Sequence, residues 1–190
     1  MFDDHDLGDG LTFRTGSLPP ELMWDAARFD EVWDLHPSEK PVIHMPGGPV
    51  QIPRWQQAYG ADYHFSGQTS AALPVPAVLD PLLSWARRAI FPHLNGLLLN
   101  WYDGPGHYIG PHHDSTRDMV PDAPIVTVSF GEARKFRLQK GTKKYDFLAT
   151  PGAVCVLPYA TNKVWKHSVP KSARYRGRRV SVTMRAFEAA

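Results

Sequence analysis

Cysteine is nearly absent: the 190-residue chain has one, Cys155, inside the apolar run AVCVL. A disulfide framework and a CxxC zinc or redox motif are therefore excluded, and a reducing, cytoplasmic setting is the expectation. Long apolar runs are also missing. Stretches such as LLL at 97–99 are far too short to span a bilayer, so no membrane partner is expected. The first residues, MFDDHDLGDG, are acidic rather than basic-then-apolar, so no secretory leader is expected from them. Internal repeats and low-complexity tracts are lacking too, which argues against a solenoid.

What remains is the composition of a globular domain, 43% hydrophobic, 12% aromatic and 21% charged, and a single monomeric domain is expected. The net charge of +2 hides an asymmetry. Residues 1–37 carry nine acidic and two basic side chains, whereas residues 134–185 carry fourteen basic and one acidic. A solvated surface is the plain reading of such a run; a polyanion such as nucleic acid suits the same density of charge.

Residues 1–17, rich in glycine and aspartate, read as a flexible acidic tail, and residues 18–190 as the folded domain. Helical spacing of apolar residues marks a first helix within LPPELMWDAARFDEVWDL and a second over about 77–91. Everything after Asn95 reads as strands: GLLLNWY, PIVTVSF, KFRLQ, YDFLA, AVCVLP, KVWKHSV and RRVSVTMRAF. The fold class is therefore mainly β with flanking helices (α+β), a β-sandwich or jelly roll.

Within this β region, HHDSTRD sets two histidines beside an aspartate. Strand alternation points His112 and Asp114 one way and His113 the other. A lone HxD is weak, since the nine histidines and fourteen aspartates would give roughly 0.7 such pairs by chance. His167 in KVWKHSV is the best third ligand. Two histidines and one carboxylate leave open coordination positions, the set typical of non-heme Fe(II) oxygenases. In RVSVTMR, Arg179, Ser181, Thr183 and Arg185 share a face; two inward arginines need anions, and a small dicarboxylic acid could meet both. A surface edge strand is the alternative.

Together these residues resemble the AlkB-type Fe(II)/2-oxoglutarate-dependent dioxygenases. The resemblance runs from about Pro53 to Phe187 through PRWQQAYG, YHFSG, NWYDGPGHYIGPHHD, PIVTVSFGEARKF, PGAVCVLP, WKHSVP and RVSVTMRAF, in the order found in the nucleic-acid repair members. It implies a double-stranded β-helix, with Fe(II), 2-oxoglutarate and O2 as cofactors and His112, Asp114 and His167 as iron ligands. Arg179 would hold the distal 2-oxoglutarate carboxylate and Arg185 the metal-side one, with Asn100, Tyr102 and Ser181 adding hydrogen bonds. Ser181 stands where many relatives have asparagine. The implied reaction is oxidative demethylation of N-alkylated bases, with DNA favoured over RNA and the basic C-terminal half meeting the nucleic acid.

A nucleotide-recognition lid is implied over about 41–70. There Tyr63 and Phe65 would cover the base, Arg54 would contact substrate, Phe65 and the His112 ring would sandwich a flipped base, and Met45, near the tip of a VIHMPGGPVQIPR hairpin, would serve as a wedge. One departure stands out. After HxD the repair members usually place acidic residues that contact the base or tie down the lid, and here Ser115 and Thr116 follow Asp114; Asp118 or Asp122 could substitute. This keeps open a dioxygenase acting on RNA, protein or a small molecule and, more remotely, a non-catalytic jelly-roll module.

Overall fold

A computed structural model describes residues 2–45 and 47–188. Along the chain run β1 (Phe2–Gly8), β2 (Leu11–Ser17), α1 (Ala26–Trp33), β3 (Val42–Met45), β4 (Gly48–Gln51), β5 (Trp55–Tyr59), β6 (Tyr63–Phe65), β7 (Gln68–Ser70), β8 (Ala72–Leu73) and α2 (Asp80–Ala89). There follow β9 (Gly96–Asp103), β10 (Ile109–His112), β11 (Ile125–Gly131), β12 (Arg134–Lys140), β13 (Lys143–Ala149), β14 (Ala153–Leu157), α3 (Tyr159–Val164), β15 (Lys166–Val169) and β16 (Arg178–Arg185).

Two sheets form the body. The larger has the order β1-β2-β14-β11-β16-β9-β5-β8 and the smaller β10-β15-β12-β13; the hairpins β3–β4 and β6–β7 stand apart from both. Alternation within three central strands decides what lies on each face of the large sheet. Leu97, Leu99 and Trp101 of β9, Val126 and Val128 of β11, and Val180, Val182 and Met184 of β16 join one apolar cluster with Val32 of α1 and with Leu82, Leu83 and Ala86 of α2. The opposite face, carrying Asn100, Tyr102, Thr127, Arg179, Ser181, Thr183 and Arg185, lines a cavity of about 580 Å³. A second apolar cluster, with Phe13, Leu98, Phe136, Leu138, Cys155 and Leu157, fills the space between the sheets beside that cavity.

Two expectations are corrected. The described residues 2–17 of the expected flexible tail are ordered: β1 and β2 pair as a hairpin, and β2 adds to the large sheet along β14. Asp9 and Gly10, with φ of 57° and 73°, make the turn, so the glycine and aspartate content marks a hairpin tip. The hairpin is anchored by Phe13, which is fully buried and stacks on His5 with ring centroids 4.5 Å apart. The first helix is also shorter than its apolar periodicity suggests. Pro20–Leu22 form a single 3-10 turn, and α1 starts only after Asp25, whose side chain accepts the Arg28 amide at 2.8 Å as an N-cap.

Candidate active site

His112 ends β10 and His167 sits on β15; the two pair directly across the small sheet. Asp114, two residues beyond His112, brings its Oδ1 to 3.4 Å from His112 Nε2 and 3.5 Å from His167 Nε2. Ligand atoms from all three lie within 4.8 Å of one another. The Nδ1 of His112 faces the Gly110 carbonyl at 2.9 Å, and a proton there leaves Nε2 as a lone-pair donor toward the centre. His167 is buried against the Phe136 ring, stacked at 5.6 Å. Burial, and the neighbouring His112, push its pKa down, which keeps the imidazole neutral as metal ligation requires.

Asp114 is held from several sides. Burial would raise its carboxyl, but the Arg185 guanidinium together with His167 and His112 outweighs this and holds it well below the usual carboxylate range. Arg185 donates to Oδ2, and the Tyr63 hydroxyl donates to Oδ1 at 3.2 Å. The Asp114 backbone is clasped by Asn162 of α3, which accepts the Asp114 amide and donates to the Asp114 carbonyl, both at 3.0 Å. His113, which strand alternation points away from His112 and Asp114, directs its Nδ1 at the Asn162 carbonyl and so braces the same turn.

Arg179 is fully buried, 4.9 Å from the Tyr102 ring. One of its nitrogens donates to Ser129 Oγ at 2.8 Å, while Nε and Nη1 have no partner. A buried guanidinium with two spare donors and no carboxylate beside it is a receptor for an anion. Arg185 likewise keeps an unpartnered Nε after pairing with Asp114. These orphaned donors fit a dicarboxylate lying between β16 and the three metal-ligating side chains.

Sequence reasoning missed the frame around this end of the cavity. Arg134, fully buried, donates to the carbonyls of His107 (2.8 Å), Gly104 (3.1 Å) and Gly177 (3.1 Å), tying the loop after β9 to the loop before β16. Nothing in GEARKF separates this arginine from its exposed neighbours except its place at the start of a strand. Asn162 gives even less signal, since its segment shows no distinct periodicity.

The residues expected at the substrate end are partly redistributed. Tyr63 is committed to Asp114 and lies under Arg185, which sits 4.3 Å from its ring, so it belongs to the metal end rather than to a free lid. Phe65 and Ser115 line the cavity with His112, as does Arg54, which donates to Asn100 Oδ1 at 2.7 Å and Gln56 Oε1 at 3.0 Å. Asp118 reaches the lid: its carboxylate lies 3.3 Å from His64 Nε2. The β3–β4 hairpin forms as expected, but the Met45 side chain at its tip lies outside the described residues.

Residues 26–185 match the family model described as the 2OG-Fe(II) oxygenase superfamily. The chain belongs to this superfamily. Its AlkB-like character shows in the relatives. The DNA oxidative demethylase ALKBH2 of Homo sapiens is 30% identical over 147 residues, covering 70% of this chain and 56% of that protein. The ALKBH2 of Arabidopsis thaliana is 28% identical over 95% of this chain and 68% of its own length. The chain thus spans little more than half of the human relative. A solved structure of OsALKBH1, 14% identical, superposes with a TM-score of 0.60 over 97% of this chain and 100% of that one, which bears out the jelly-roll fold. Superfamily membership brings Fe(II), 2-oxoglutarate and O2 as cofactors, and the convergent His112, Asp114 and His167 offer the matching metal site.

Proposed function

We propose that the protein is an Fe(II)- and 2-oxoglutarate-dependent demethylase acting on N-alkylated bases in DNA. One conjunction carries the reading: three converging metal-ligating side chains open onto a cavity of about 580 Å³ that also holds a buried arginine with two unpartnered donors. The demethylase relatives support DNA as the substrate.

Bound at this site, the iron would let O2 act as the oxidant of both substrates, one oxygen atom going into succinate as 2-oxoglutarate loses CO2 and the other to the methyl group. The chain holds, orients and shields. His112, Asp114 and His167 would bind the metal, and Arg179 would take the distal carboxylate with its free Nε and Nη1. Arg185 holds Asp114 in one orientation and keeps Nε for the nearer carboxylate. A flipped base seated between Phe65 and the His112 ring would bring its methyl group to the metal and exclude water. The oxidised methyl group then departs as formaldehyde, and the base is restored without cutting the backbone.

The test is mass spectrometry of single- and double-stranded oligonucleotides carrying N-methylated bases, incubated with protein, Fe(II) and 2-oxoglutarate, with succinate followed in parallel. Wild-type protein should remove the methyl group and His167→Ala should not. Succinate formation with every base left methylated would overturn the reading.

A further inference from the structure

We propose that the pocket favours N-alkylated bases that remain neutral and present ring carbonyls, 3-methylthymine and 3-methyluracil, over the cationic 1-methyladenine and 3-methylcytosine. The inference rests on the demethylase reading and narrows its substrate class.

The first ground is charge. Among the described residues lining the cavity are three guanidiniums, on Arg54, Arg179 and Arg185, and a single carboxylate, on Asp114. That carboxylate is already engaged: Oδ1 faces Tyr63 and the two histidines, and Oδ2 takes Arg185. An iron(II) dication and a 2-oxoglutarate dianion carry equal and opposite charge, so the positive excess persists when both bind. A cationic base entering such a low-dielectric site is repelled, and a neutral one is not.

The second ground is hydrogen-bond polarity. Gln56 lines the cavity at 4% exposure. Arg54 donates to its Oε1 at 3.0 Å, which fixes the orientation of the amide. Nε2 is then left as a buried donor without a partner. It can meet a base carbonyl, whereas an exocyclic amino group would set donor against donor. In 3-methylthymine and 3-methyluracil the methylated nitrogen lies between two carbonyls; in 3-methylcytosine one of these is an amino group.

The third ground is where the loop acids sit. Ser115, next to Asp114, lines the cavity and carries no charge. Asp118 is turned to His64, 3.3 Å away, whose other ring nitrogen lies 2.8 Å from Thr69 Oγ1. It therefore closes the lid instead of neutralising the base pocket.

The test compares kcat/KM on oligonucleotides identical except for the lesion. Wild-type protein should favour 3-methylthymine over 3-methylcytosine by about tenfold or more. Gln56→Glu, which turns the donor into an acceptor, and Ser115→Asp should each shift the ratio toward the cationic base. Turnover of 2-oxoglutarate without oligonucleotide checks that both variants still load metal and cosubstrate. Equal or faster repair of the cationic lesions, or a ratio unmoved by either loaded variant, overturns the proposal while leaving the demethylase reading in place. Succinate formation with no base of either kind repaired removes the reading itself, and this inference with it.

Discussion

At the scale of single residues, the buried charges of this site divide into a paired one and a waiting one. Arg185 has its carboxylate, so Asp114→Asn should abolish iron binding and also leave a buried guanidinium unmatched, at a cost of about 3 kcal/mol in chemical denaturation. Arg179 has none: it is fully buried with two donors idle. Arg179→Met should therefore leave the ligand-free protein as stable as wild type or more so, while erasing the shift in melting temperature that 2-oxoglutarate produces with a redox-inert metal such as Mn(II). A lower melting temperature for that variant without ligand would show that the guanidinium is already satisfied. Cys155 makes a third case. Burial pushes its thiol up to about 12, so the native protein should be inert to thiol reagents at pH 8 and react only on unfolding. Because that pKa is raised, the unfolded chain binds fewer protons above about pH 8.5, and stability should decline from there upward.

At the scale of elements, the parts legible in the sequence are those where a strand alternates cleanly. RVSVTMR declared both its faces, and the structure places Val180, Val182 and Met184 against the helices and Arg179, Ser181, Thr183 and Arg185 on the cavity side. His112 and Asp114 were legible as an HxD pair at strand spacing, and His167 as the histidine of the run KVWKHSV, although β10 and β15 themselves do not alternate cleanly. The N-terminal hairpin was not, since β1 carries Asp3, Asp4 and Asp6 where a buried strand would show apolar residues, and only Phe13 of the hairpin is wholly buried. Asn162 was hidden for another reason: it acts through backbone contacts, which leave no pattern of residue types. The hairpin and α3 are coupled, because Thr161 Oγ1 donates to the Thr12 carbonyl at 2.7 Å beside the Asn162 clasp on Asp114. Asn162→Ala should thus weaken iron affinity by about 10- to 100-fold without removing a ligand. Phe13→Ala should cost about 3–5 kcal/mol of stability, measured by denaturant titration; an unchanged midpoint would return residues 1–17 to the status of a tail.

At the scale of the whole molecule, the basic C-terminal half is less uniform than its composition. Of the fourteen cationic side chains in residues 134–185, Arg134, Arg179 and Arg185 are buried and serve the frame or the cofactor end. Of the other eleven, Lys135 and Arg137 pair with Asp146, Lys140 with Asp9 and Arg178 with Asp30. If the proposed nucleic-acid contact draws on the seven that are left, oligonucleotide affinity should fall steeply as salt rises from 50 to 200 mM; a flat response would place the contact elsewhere. The two sheets also meet at one carboxylate. Asp114 turns Oδ1 toward histidines borne by the small sheet and Oδ2 toward an arginine borne by the large one. The same side chain is thus both proposed metal ligand and seam between layers. Stripping the metal with a chelator should therefore quicken amide hydrogen exchange along β10 and β15, while the large sheet, tied down by its helices, keeps its protection.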